Sequence, residues 1–213
     1  MRIGLFSVGN IPEYHRLGSL AAAIAKDSVP NAKVIHLTDM DTIALGGVDD
    51  VIRKERDCPM AVFRMRHHQS KGEWLFIDVD VLVTKDISSM FYESFDIAIA
   101  SRTQGDGSEH EGFAEMPHNM GVTFSRCPAF WREVENELLT YDPKLQEWMG
   151  DQLAVCRLIK KNIFRVKIVP GEEYNFPPNS PLAPLASITH YKGRRKKWMV
   201  DHANAILDKR KSA

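Results

Sequence analysis

The chain has 213 residues, 44% hydrophobic and 26% charged, a composition that suits one well-packed globular domain and excludes a disordered or fibrous chain. Its 28 basic and 28 acidic residues cancel, so no global field draws it onto nucleic acid or an anionic membrane. No apolar run approaches the roughly 20 residues of a membrane-spanning helix, and the cysteines Cys58, Cys127 and Cys156 show neither zinc spacing nor a disulfide framework, which points to reduced thiols in a cytoplasmic protein.

Residues 2–7 are a short apolar run ending near Gly9, the pattern of a buried parallel strand; no small-residue cleavage site follows, which sets it apart from a signal peptide. Residues 17–25 are rich in helix formers with apolar positions at helical spacing. Residues 32–37 read as a second strand, followed by the polar loop Thr38-Asp39-Met40-Asp41. A helix is expected over 59–68, with Pro59 in its first turn. Residues 74–77 form a strand that runs straight into Asp78-Val79-Asp80, and a short helix over 88–91 and a buried strand over 95–100 come next. This alternation predicts an α/β fold with a mostly parallel central sheet flanked by helices. Residues 101–117 carry three glycines and little periodicity, and predict a long loop. Beyond it come a strand over 121–124, helices over 129–139 and 152–160, a strand over 164–169, and a proline-rich extended connection over 177–184. No linker divides the chain, so 1–213 is expected to be a single domain. Its end is basic, with eight Lys or Arg between Lys192 and Lys211 against Asp201 and Asp208.

The feature with most chemistry in it is Leu75-Phe76-Ile77-Asp78-Val79-Asp80-Val81-Leu82-Val83. Two acids inside a continuous apolar run are costly unless the charge has a partner. In a parallel α/β sheet, ligands bind beyond the carboxyl ends of the strands. Two aspartates one residue apart on a strand point to the same side, a suitable seat for a hard cation that also takes phosphate oxygens. The plainer reading pairs both acids with Arg64, Arg66 or Lys85. A second feature, His190-Tyr191-Lys192-Gly193-Arg194-Arg195-Lys196-Lys197-Trp198, combines an imidazole ligand, a glycine that permits close backbone approach, and lysine point charges. Its plainer reading is a solvated basic tail.

Taken in order, an apolar strand, Asp-x-Asp, and His-x-x-Gly-x-x-Lys-x-Trp beginning 110 residues after Asp80 resemble the retaining glycosyltransferases of family 8, nucleotide-diphospho-sugar transferases with the Rossmann-like GT-A fold. Lys197 stands where that family commonly has proline. His118-Asn119-Met120-Gly121-Val122 looks like the family's Asn-x-Gly-Val segment, Gly150-Asp151-Gln152 like its Asp-Gln pair, and Tyr174-Asn175-Phe176 like the Asn-containing segment before the C-terminal signature. The resemblance implies that Asp78, Asp80 and His190 bind Mn²⁺ or Mg²⁺ across the two phosphates of a UDP-sugar. It further implies that Gly193 and Lys196 contact the same diphosphate. Residues 190–213 are expected to close over that diphosphate, and the loop over 101–117 to become ordered with them when donor and metal are present. Ser7, Val8 and Gly9 would border uracil and ribose, and Val79 and Asn119 would line the donor site. Arg64 is the expected basic contact to the donor, with Arg66 as a rival because the spacing of Arg64 to Asp78 is short for the family. Gln152 would face the anomeric carbon, with Asp151 orienting sugar hydroxyls; Asp151 as a helix N-cap is the alternative. A covalent nucleophile and a same-face attack both remain open for the retaining step.

Two other classes compete. A haloacid-dehalogenase-like phosphatase also places Asp-x-Asp after four apolar residues, but normally after its first strand, and the later Gly-Asp-x-x-x-Asp is missing here. A non-catalytic nucleotide- or nucleic-acid-binding protein would use Lys192, Arg194, Arg195, Lys196 and Lys197 along phosphates. Between them lies an enzyme whose acceptor is itself anionic, a glycan or a modified nucleic acid.

Overall fold

The computed structural model describes residues 1–103 and 115–211, the side chains of 210 and 211 excepted. Four strands open the chain in parallel: β1 (Arg2–Phe6), β2 (Lys33–Asp39), β3 (Asp50–Lys54) and β4 (Trp74–Asp78). A short strand, β5 (Val81–Val83), follows directly. Then come β6 (Ile97–Ser101), β7 (His118–Ser125), β8 (Val166–Val169) and β9 (Ile188–His190). Seven strands form one sheet of order β3-β2-β1-β4-β7-β6-β8, in which β7 runs against its neighbours. β5 and β9 form a separate antiparallel pair.

Helices cover both faces. α1 (Pro12–Ser28) and α7 (Lys196–Lys211) pack on one side; α2 (Met60–His68), α3 (Pro128–Leu138) and α5 (Gly150–Lys160) pack on the other, with the short α4 (Pro143–Glu147) beside α2 and α5. A four-residue helix, α6 (Gly171–Tyr174), follows β8. The division is written into β4, where Leu75 and Ile77 join the α1 core while Trp74 and Phe76 join the α2–α3–α5 core. Both cores want apolar side chains, so the period-two alternation of a strand is hidden beneath a continuous apolar run. Burying each such side chain contributes about 1.5–3 kcal/mol relative to leaving it in water.

The structure adds to or departs from the sequence reading at three places. The apolar run through Asp-x-Asp is not one strand: β4 ends at Asp78, Val79-Asp80 form a turn, and β5 departs to pair with β9. The two acids therefore do not owe their common direction to strand alternation. The basic C-terminus is not a solvated tail, because it forms α7, which buries Met199 and Ala203 against the α1 core. Residues 50–54, with charges at both ends, give little strand signal yet form the sheet-edge strand β3. The loop expected over 101–117 falls mostly outside the described residues; at its described ends Ser101 closes β6, and the Arg102 amide donates to the Pro117 carbonyl at 2.9 Å.

Candidate active site

The site lies at the carboxyl edge of the parallel strands. Asp78, the last residue of β4, pairs in register with Phe6, the last of β1. The β5–β9 ladder sets Val81 opposite His190, and the Tyr191 amide donates to the Asp80 carbonyl at 2.8 Å. That ladder brings together residues far apart in sequence: Asp78, Asp80 and His190 present ligand atoms that all lie within 4.8 Å of one another. Nε2 of His190 stands 3.2 Å from Asp80 Oδ1 and 3.8 Å from Asp78 Oδ2.

These residues fit a divalent cation. Asn175 Oδ1 can only accept, so at 2.9 Å it takes the proton of His190 Nδ1. With Nδ1 engaged by Asn175, Nε2 is the ring nitrogen that faces the two carboxylates, and the three groups together make a nitrogen-and-oxygen donor set that a cation between them would satisfy. Gly121 makes the approach possible, since a Cβ there would lie 2.2 Å from His190 Cε1. Lys196, the first residue of α7, places Nζ 2.8 Å from Asp80 Oδ2. Burial alone pushes the Asp80 carboxyl up, but His190 and Lys196 outweigh it and hold the group well below the usual carboxylate range. Burial likewise works against the charge on Lys196, and Asp80 reverses that, raising its pKa.

On the α2 side, Arg64 is the arginine at Asp78. Its Nη2 donates to Asp78 Oδ1 at 2.7 Å and to the Met120 carbonyl at 3.1 Å, and Nη1 lies 3.6 Å from Asp151 Oδ2. Arg66 instead binds Glu135 at 2.9 Å and Asp57 at 2.6 Å. Asp151 is not an N-cap; it is the second residue of α5, whose N-cap is Met149 in the left-handed region at φ 70°. Burial pushes the Asp151 carboxyl upward, with Arg64 opposing and Asp78 adding to the rise.

Gln152 sits between these groups and Asn119. Its Oε1 accepts from Arg102 Nη2 at 2.9 Å and from Asn119 Nδ2 at 3.2 Å, while Nε2 lies 3.2 Å from Met149 Sδ. The orientation is dictated by chemistry: Arg102 has no acceptor, and Asn119 already spends Oδ1 on the Gly121 amide at 2.9 Å. The pairing of β6 with β7 shifts register between Ile99 and Ala100, so that Ala100 opposes Asn119. Such irregularities re-aim side chains beside active sites.

Three adjoining cavities share this centre. One of about 300 Å³ is lined by Asp78, Asp80, Asn119, Gln152, Gly193 and Lys196 among others. A second of about 170 Å³ reaches Arg64, Asp151 and Gln152. A third of about 350 Å³ runs past Val79 and Asp80 to Ser7, Val8 and Tyr14. Gly9 lies apart from the first three, lining a cavity of about 580 Å³ with Val8, Asp39 and Glu55. Ser7 Oγ takes a hydrogen bond from His36 Nε2 at 2.9 Å. Residues that the sequence reading did not single out also line the cleft: Arg102, Tyr14, Trp148 and Met149. Of these, Trp148 and Met149 directly precede Gly150-Asp151-Gln152, and Arg102 directly follows the end of β6, positions that signal a site once the strand order is known.

No protein-family model matches the chain, and no curated protein is similar to it in sequence. Solved structures are similar in fold. Glycosyltransferase GlyE of Streptococcus pneumoniae TIGR4 superimposes with a TM-score of 0.66 at 18% identity, over 99% of this chain and 63% of GlyE. The chain has a glycosyltransferase fold of the GT-A type. Galactosyltransferase LgtC, solved with donor and acceptor sugar analogues, superimposes with a TM-score of 0.59 at 12% identity over 96% of each chain. The chain spans less than two thirds of GlyE, and at these identities the likeness is one of fold. Within that fold Asp-x-Asp follows the fourth strand, not the first as in the phosphatase alternative. Among the described residues no helix is long and apolar enough to cross a membrane.

Proposed function

We propose that the protein is a metal-dependent glycosyltransferase related to family 8, which moves a hexose or similar sugar from a UDP-sugar to an acceptor with retention. The observation that carries this reading is the meeting of Asp78, Asp80 and His190 beside Lys196, at the carboxyl edge of a GT-A sheet. Mn²⁺ or Mg²⁺ held there would supply Lewis-acid stabilisation of charge on the departing diphosphate. Lys196 adds a cation to the same region, and Gly193, at φ 57° and open to solvent, lets backbone approach the phosphates. Arg64 and Asp151 face the second cavity with the mixture of donor and acceptor that sugar hydroxyls need. Gln152 borders the first and second cavities, between the metal and diphosphate groups on one side and Arg64 and Asp151 on the other. With Oε1 already taking two hydrogen bonds, it offers its amide N–H rather than its oxygen to a ligand. That favours same-face attack over a covalent intermediate on Gln152.

A thermal-shift panel of UDP-glucose, UDP-galactose and UDP-N-acetylglucosamine, each with and without Mn²⁺, tests the reading. Ligand bound only by the folded state raises Tm by mass action. The expected result is a rise that needs both nucleotide sugar and metal. Equal Tm values in all conditions would refute the donor assignment.

A further inference from the structure

Trp148 is the most exposed tryptophan of the chain, at 74%, whereas Trp74 and Trp131 are buried and Trp198 is partly so. A single exposed apolar side chain is ordinary on open surface, but this ring forms part of the wall of a polar cleft. Trp148 shares with Asp78 the position of lining all three adjoining cavities. The backbone that presents it is held firmly. Glu147 Oε2 accepts from the Met60 amide at 3.1 Å, Met149 occupies the left-handed region at φ 70°, and Gly150 packs so closely that a Cβ would lie 2.2 Å from the Leu145 carbonyl oxygen. A non-glycine residue in that region is strained and persists only where its surroundings over-determine it.

We propose that Trp148 is a specificity-determining residue whose indole covers the C–H face of the transferred sugar. This rests on the donor reading above. The second cavity supplies the complementary half of a sugar site, with Arg64, Asp78, Asp151 and Gln152 for hydroxyls and Phe6, Met60, Met149 and Trp148 for the apolar face. An indole has a broad, rigid apolar face and little conformational entropy to lose. The same ring borders the first cavity, so it also limits how water and acceptor reach the sugar.

The test compares UDP with UDP-glucose, UDP-galactose and UDP-N-acetylglucosamine, all with Mn²⁺, in wild type, Trp148→Ala and Trp148→Phe. Acrylamide quenching of tryptophan emission reports the exposure of Trp148, with Trp148→Phe as the blank. A sugar nucleotide should shield Trp148 where UDP does not. Trp148→Ala should raise KM for hydrolysis of that sugar nucleotide about tenfold while leaving UDP affinity within about twofold, and Trp148→Phe should recover most of the loss. Equal weakening of UDP and sugar nucleotide, or no weakening of either, overturns the role of Trp148 while leaving the donor reading standing. Failure of the wild type to bind any of the four nucleotides overturns both.

Discussion

The imidazole of His190 lies over Gly121 so closely that a Cβ on Gly121 would stand 2.2 Å from Cε1 and 2.7 Å from Nδ1. Both contacts are far inside van der Waals range, and the ring is held in place by the 2.9 Å bond between its Nδ1 and Asn175. Gly121→Ala should therefore displace His190 and weaken Mn²⁺ binding about tenfold or more, in line with the loss of an outer support to a metal ligand. Titration of Mn²⁺ followed by its paramagnetic resonance signal checks this. Unchanged affinity in a folded Gly121→Ala protein would show that His190 is not a ligand.

Arg64 bridges Asp78 and the buried Asp151. Its removal leaves two carboxylates facing one another with less compensation, at a cost of about 1–3 kcal/mol for the stranded charge. Arg64→Met should lower the stability of the protein and reduce sugar-nucleotide hydrolysis at least tenfold, and Arg64→Lys should recover little, because one ammonium cannot span both acids. Urea unfolding and hydrolysis rates measure the two effects. Full activity in Arg64→Lys would contradict the bridging role.

Arg102 holds Gln152 through the 2.9 Å bond to Oε1. As a positioning residue it should act on turnover more than on donor affinity. Arg102→Ala is expected to lower kcat for hydrolysis about tenfold or more with KM nearly unchanged, and Arg102→Lys to restore part of it. A rise in KM at constant kcat would mean that Arg102 binds the donor directly.

Much of this site was legible in the sequence, and what was not has identifiable causes. Asp78 and Asp80 stood out because acids interrupting an apolar run are costly, and His190 because it opens a basic, glycine-containing segment. Their meeting was not legible from periodicity, since it depends on a turn at Val79-Asp80 and on a three-residue ladder between β5 and β9. β3 was missed because its residues are only half-buried at a sheet edge, where charge is tolerated and the apolar pattern is weak. α7 gives little helical signal because lysines and arginines dominate its composition, although Met199 and Ala203 anchor it to the core. Arg102 and Trp148 carry no local pattern; they matter through what the sheet order places beside them.

Acid stability follows from two other histidines. Burial pushes His36 and His67 down to about 4 from the ordinary value of 6.5. Between these values the unfolded chain takes up protons that the folded chain refuses. Stability is therefore complete above about pH 6.5 and falls toward pH 4, by about 1.4 kcal/mol per pH unit for each imidazole. Urea midpoints from pH 7 to 4.5 should decline accordingly, and His67→Phe, which keeps an aromatic ring against Phe63, should flatten the slope. A profile that stays level down to pH 4.5 would mean that neither ring is held neutral.

Chelation and add-back of metal during hydrolysis of UDP-glucose, UDP-galactose and UDP-N-acetylglucosamine, read as released UDP, tests the metal-centred donor site most directly. The wild type should lose activity with a chelator and regain it with Mn²⁺, and Asp80→Asn should stay inactive at any Mn²⁺ concentration while remaining folded, because an amide replaces a hard anionic oxygen poorly. Hydrolysis that survives chelation, or an Asp80→Asn protein as active as the wild type, would contradict the account.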